Sequence, residues 1–175
     1  MESAYLLKRV RLLLGLFIAG LIVSGLTAIP LILEVSLLDR FFGQSTFLEA
    51  FWPGIARWIS FIHQGLVETG GKYPFIRYGT DWLAFAHIVI AIAFWGPIKD
   101  PVKNLWVIEF GMIACILIIP TVLIFAPLRG IPPFWQLIDC SFGIFGFIPL
   151  WFAHRYARRL AAAGEWNRSL RLSNL

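Results

Sequence analysis

Charge is the scarcest property of this chain. Asp, Glu, Lys and Arg make up 14% of its 175 residues, against roughly a quarter of an average soluble domain. Hydrophobic residues make up 59% and the mean hydropathy is +0.77, more apolar surface than a water-soluble globule of this length can hide. Cysteine is scarce too. Cys115 and Cys140 lie in apolar runs and form no C-x-x-C, so neither a metal site nor a redox motif is supported, while a bridge between their two runs stays open. Only three histidines occur, and of these only His87 lies deep in an apolar run. A b-type haem needs two axial ligands facing one cavity. His63 lies in a surface helix, His154 at the far end of a span, and Met112 nearer the wrong leaflet. No cofactor and no metal are therefore expected. The net charge of +5 does not point to nucleic acid, because most basic residues border apolar runs and read as a lipid-facing rim.

Long apolar runs are what the chain has in quantity. They cover residues 12–33, 82–98, 105–126 and 134–153, each near the 17–25 residues with which a helix crosses about 30 Å of hydrocarbon. Trp82, Trp95, Trp106, Trp135 and Trp151 fall near the run ends, as in an aromatic belt. Lys8, Arg9 and Arg11, then Lys99 and Lys103, then Arg155, Arg158, Arg159, Arg168 and Arg171 form basic groups that an even number of crossings puts on one face. The positive-inside rule makes that face cytoplasmic, with both termini on it. The first run exceeds the roughly 7–15 residues of a signal-peptide core, so it is expected to be a retained span. The fold expected is an all-α membrane protein, a four-transmembrane-helix bundle in one domain.

The connection between the first two spans is too long for a turn. Leu48, Phe51, Trp52, Ile55, Trp58, Ile59, Ile62 and Leu66 recur at helical spacing, with Arg57, Ser60, Gln64 and Glu68 between them. Thr46 and Glu49 have capping-box spacing, Pro53 suggests a break, and Gly70-Gly71 an end. This spacing predicts an extracytoplasmic interfacial amphipathic helix over about residues 46–68, or alternatively a lid over the mouth of the bundle. Further on, Pro97 is expected to stop the second span, Lys99-Asp100-Pro101 to form a tight cytoplasmic turn, and Pro120 to kink the third. The short turn at residues 129–133 makes the last two helices antiparallel neighbours, and a basic helical tail should follow from Arg155. Gly20, Ser24 and Thr27, then Ala84, His87 and Ala91, then Asp139, Gly143 and Gly146 form small-residue stripes suited to helix contact.

Ionisable groups in hydrocarbon are costly and mark sites of interest. At about 1.5 Å per residue, His87 and Asp139 both lie on the order of 7–9 Å below the outer boundary, where a carboxylate would favour a charged imidazole. Asp81, Glu34, Arg77 and Arg129 stand close above them, completing a candidate outer polar pocket. Glu109 belongs to the opposite leaflet, within reach of Arg11, Lys103, His154 or Arg155, and is grouped with His154 as a candidate inner-leaflet polar site. Three readings of His87 and Asp139 stand side by side: a structural bridge, a pocket for a lipid, quinone or small polar molecule, and an acid–base pair. No nucleophile motif accompanies them.

The stretches Tyr78-Gly-Thr-Asp-Trp-Leu-Ala-Phe-Ala-His87, Trp106-Val-Ile-Glu-Phe-Gly-Met-Ile-Ala-Cys115 and Arg129-Gly-Ile-Pro-Pro-Phe-Trp-Gln-Leu-Ile-Asp-Cys140 resemble an uncharacterised family of bacterial four-span integral membrane proteins. The resemblance covers the C-terminal half and implies a bacterial cytoplasmic (inner) membrane, with no activity attached to it. The expected function is a non-enzymatic accessory or scaffold component in the lipid bilayer, with a membrane-protein partner or a second copy of itself. The alternative is a protein that handles a lipid, a quinone or a small molecule by binding, transport or acid–base isomerase-type chemistry at His87 and Asp139.

Overall fold

The computed structural model describes residues 2–173, with side chains described from Ser3 to Gly164. Asn174, Leu175 and the side chains of Arg168 and Arg171, part of the expected basic tail, lie outside the described residues. Among the described residues every regular element is a helix. Four stretches are long and apolar enough to cross a membrane: Ser3–Ala28, Pro74–Lys99, Leu105–Leu128 and Pro133–Gly164. The α-helices of the described residues are α1 (Glu2–Ala28), α2 (Leu31–Phe42), α3 (Phe47–Phe51), α4 (Pro53–Lys72), α5 (Tyr78–Ala93), α6 (Trp95–Lys99), α7 (Leu105–Leu128) and α8 (Pro133–Ser173). A 3-10 turn, Pro74–Arg77, precedes α5.

Two of the boundaries that differ from the expectation are set by proline, whereas α4 runs through Gly70 and Gly71 to Lys72. The first span ends at Ala28 rather than near residue 33. Pro30 has no N–H to donate and its ring crowds the carbonyl four residues back, so the chain turns and α2 begins with Glu34 N–H donating to Pro30 O. The second span does not simply stop at Pro97. Its helix is interrupted at Phe94 and resumes as α6, because the carbonyl that Pro97 crowds belongs to Ala93, four residues earlier.

The chain divides into two compact units, Met1–Gly20 with Ile90–Leu175, and Leu21–Val89. In the first, α7 and α8 run antiparallel: Gly111 lies against Leu150, Cys115 against Gly143 and Gly146, and Glu109 against His154. A Cβ at Gly143 would come within 2.6 Å of the Cys115 carbonyl oxygen. Glycine therefore lets the backbones approach, the kind of contact that packs helices where no hydrophobic gradient drives them together. Leu14, Phe94, Ile108 and Leu150 are fully buried beside this seam, with the Phe17 and Phe94 rings 4.8 Å apart.

Short loops in this unit are set by specific bonds. Helix α7 ends in a Schellman arrangement: Ile131 N–H donates to Ala126 O at 3.0 Å, Gly130 N–H to Pro127 O at 3.1 Å, and Gly130 takes φ +70°. Between α6 and α7, Asp100 Oδ1 accepts from the N–H groups of Val102 and Lys103, and Asn104 Nδ2 donates to the carbonyls of Gly96 and Asp100. Arg11 Nε donates to Ile98 O at 2.9 Å, tying α1 to this turn.

The second unit is built on α2 and α4. Val35, Ala56 and Ile59 are buried there, and the small Ala56 admits a close neighbour. Pro53 stands at the first position of α4 and separates it from α3, a place where its missing N–H costs nothing. The capping box forms only in part. Thr46 Oγ1 donates back to Gly43 O, and Glu49 Oε2 accepts from the N–H of Ser45 rather than Thr46. Near the end of α1, a Cβ at Gly25 would lie 3.0 Å from His87 Cβ, whereas one at Gly20 would meet nothing within 4 Å. The close approach on this stretch of α1 belongs to Gly25.

Candidate functional site

A connected polar group of Asp39, Ser60 and His63 joins α2 to α4. Asp39 sits in the last turn of α2, which Gly43 closes by donating its N–H to Asp39 O at 2.8 Å. The Ser60 hydroxyl donates to Asp39 Oδ1 at 2.5 Å, and His63 Nδ1 lies 2.7 Å from Asp39 Oδ2. Ser60 itself accepts from the N–H of Gln44 at 2.9 Å. Ser60 and His63 are three residues apart on one helix and so face the same neighbour. Gly43 is required here for space: a Cβ would fall onto the Asp39 carboxylate and within 2.7 Å of Ser60 Oγ.

This geometry limits the chemistry. Ser60 directs its proton to Asp39 and not to His63, which is not the order of a serine–histidine–aspartate relay. Asp39 holds the imidazole by Nδ1, and in a neutral ring that leaves Nε2 with a lone pair for a second partner. The Ser60 hydrogen bond, more than any other contact, holds the Asp39 carboxyl below its ordinary range; His63 adds to this and burial opposes it.

His63 also lines an open cleft of about 490 Å³ in the same unit. Its apolar wall includes Ile29, Leu33, Leu66 and Val67, and its polar groups are Ser36, His63, Arg77 and Thr80. A second cleft of about 500 Å³ shares Ile29, Arg77 and Thr80, and adds Phe75, Tyr78 and Asp81. The 3-10 turn presents Arg77 to both, and Thr80 Oγ1 secures the end of that turn by donating to Arg77 O at 2.7 Å. Among the described residues, Arg77 has no carboxylate within ion-pairing distance.

The residues singled out from sequence are distributed as follows. Arg77 and Asp81 meet at the second cleft. Glu34 is half-buried in the first turn of α2. His87 lines neither cleft; its Nδ1 lies 2.8 Å from Leu83 O, one turn back on α5. Asp139 and Arg129 belong to the other unit. There Asp139 is half-buried on α8 and Arg129 is exposed at the end of α7. Glu109 and His154 come together, Oε1 to Nε2 at 3.0 Å. Sequence reasoning passed over Asp39 and Ser60 as members of a site and used His63 only to argue against haem. The available signal was Ser60-x-x-His63 on one helix, with Asp39 four residues before a glycine. Comparison with family models, with curated proteins and with solved structures gave no match.

Proposed function

We propose that this chain is a multi-pass protein of a bacterial cytoplasmic membrane, with cytoplasmic termini, that binds an amphiphile without chemically transforming it. The binding site in this reading is the cleft of the second unit, exposed on the extracytoplasmic side. The observation that carries it is an apolar-walled cleft holding an arginine with no carboxylate partner among the described residues. Ligand sites combine largely apolar walls with a few placed polar groups in volumes of about 300–1,000 Å³, and the His63/Arg77 cleft has this make-up. It replaces His87 and Asp139 as the centre of the lipid- or quinone-handling reading.

The surroundings support a position at the membrane surface. Phe47, Phe51, Trp52 and Phe61 are exposed on α3 and α4, Phe47 by 81%, as suits helices resting on the acyl–headgroup boundary. The same aromatic face also suits an accessory component that docks against a membrane-protein partner or a second copy.

Two measurements test this reading. Native mass spectrometry of the purified protein should show a retained lipid or quinone, and Leu66→Trp, which fills the cleft, should lose it. Absence of any such adduct in the unsubstituted protein would count against the site. Reporter fusions after Lys103 should report cytoplasm, and fusions at Gly70 the outside; a cytoplasmic signal at Gly70 would overturn the topology.

A further inference from the structure

We infer, resting on the amphiphile reading above, that the cleft selects an anionic phospholipid whose headgroup carries a hydroxyl, with the phosphate on Arg77 and the hydroxyl on His63 Nε2. The donor and acceptor inventory carries this. A guanidinium is permanently charged, donates only, and matches phosphate oxygens in a two-pronged geometry. No carboxylate lines the His63 cleft, so a bound anion meets no like charge in its lining. Asp81 lines only the adjoining cleft, and Lys72 lies over the Tyr73 ring with its Nζ 5.3 Å from the centroid.

His63 supplies the second half of the selection. Where the imidazole is neutral and its Nδ1–H is donated to Asp39, Nε2 is left with a lone pair. A lone pair repels a phosphate oxygen and accepts from a hydroxyl. A doubly ionised lipid phosphate monoester, the form above a second pKa of about 6, has no proton to donate and therefore satisfies Arg77 alone, whereas a phosphodiester bearing a glycerol or similar polyol satisfies both groups. A choline headgroup has no N–H or O–H to give to Nε2 and brings a cation into the cleft that holds Arg77, so it is disfavoured. Ile29, Leu33, Leu66 and Val67 provide apolar surface for the first methylenes of the chains. The Ser60 and Gln44 bonds that fix Asp39 act one step further back, by orienting the imidazole.

The experiment uses the full chain in neutral detergent micelles and follows binding by native mass spectrometry and intrinsic tryptophan fluorescence. The probes are dihexanoyl-phosphatidylglycerol, dihexanoyl-phosphatidic acid, dihexanoyl-phosphatidylcholine, glycerol 1-phosphate and inorganic phosphate. Phosphatidylglycerol is expected to bind at least about tenfold more tightly than phosphatidylcholine, a difference of one bidentate charged contact. Arg77→Gln should remove that preference while leaving residual binding of both lipids. His63→Phe should remove the preference for phosphatidylglycerol over phosphatidic acid. Equal binding of phosphatidylglycerol and phosphatidylcholine by the unsubstituted protein overturns the headgroup assignment while the amphiphile site stands. No binding of any lipid overturns both. Displacement of phosphatidylglycerol by equimolar glycerol 1-phosphate or inorganic phosphate overturns the lipid as the source of the anion. If a variant fails to fold, the lipid ratios of the unsubstituted protein still decide.

Discussion

The Asp39–His63 and Glu109–His154 pairs use the same two functional groups at similar distances, 2.7 and 3.0 Å, yet they are built differently. Asp39 and His63 are each about a quarter exposed, and the carboxylate is also held by Ser60, whose hydroxyl is held in turn by Gln44 N–H. Glu109 is 51% exposed, and among the described residues its only hydrogen-bond partner is His154. The first pair is a junction on which the end of α2, the following loop and α4 converge. The second is a single bridge between two helices whose contact is already set by Gly111, Gly143 and Gly146. A pair matters to a fold according to what else depends on it.

The largest expected effect follows from crowding the junction. Gly43→Val would force a side chain into the space of the Asp39 carboxylate and Ser60 hydroxyl, and should destabilise the α2–α4 unit by about 3 kcal/mol, combining overpacking with lost charge-assisted bonds. Hydrogen exchange should then rise across α2 and α4 and stay unchanged in α7 and α8. Full protection of α2 in that variant would erase the distinction between junction and bridge.

Removing the carboxylates one at a time sharpens the same contrast. Asp39→Ala strands the Ser60 hydroxyl and the His63 imidazole and should cost about 2 kcal/mol. Glu109→Ala, from a more exposed single bridge, should cost less than about 1 kcal/mol. Thermal unfolding in detergent compares them, and equal losses would show that the two pairs are energetically alike.

Acid should produce the smallest effect, confined to one of the pairs. The folded state holds the Asp39 carboxyl below its ordinary value of 3.8. Its contribution is therefore complete above that value and is lost as pH falls through the lowered one. Between pH 7 and 5 the α2–α4 unit should keep its hydrogen-exchange protection as far as Asp39 governs it, with loss beginning below pH 4. Loss centred near pH 6 would assign the transition to another group.

The four long helices were legible because apolar length is a local property, read directly from residues 12–33, 82–98, 105–126 and 134–153. Their ends were less legible. A proline acts on a carbonyl four residues earlier, so Pro97 interrupts its helix at Phe94, while Pro120, Pro127 and Pro149 lie within helices that continue. The orientation of α4 was read only in part. Periodicity put Phe51 and Trp52 on an apolar face directed to the membrane surface and Ser60 among the polar positions; both aromatics are exposed, while Ser60 turns toward α2. Small size and one good hydrogen bond decided the packed face, and a hydrophobicity pattern measures neither. Asp39 lies 24 residues from His63, so nothing local announces their meeting. Glu109 and His154 lie 45 residues apart, but Glu109 interrupts an apolar run and His154 borders one, and that made them visible.

Helix α8 continues unbroken for 41 residues, about 60 Å at 1.5 Å per residue, roughly twice the hydrocarbon thickness. Its C-terminal part is thus phase-locked to the part that packs on α7. Each residue advances the helix by about 100°, so one alanine inserted after Leu160 would swing everything beyond it around the helix axis without touching the α7 seam, and seven inserted residues would nearly restore the original bearing. The spacing along α8 acts as a dial that sets the bearing of its C-terminal turns.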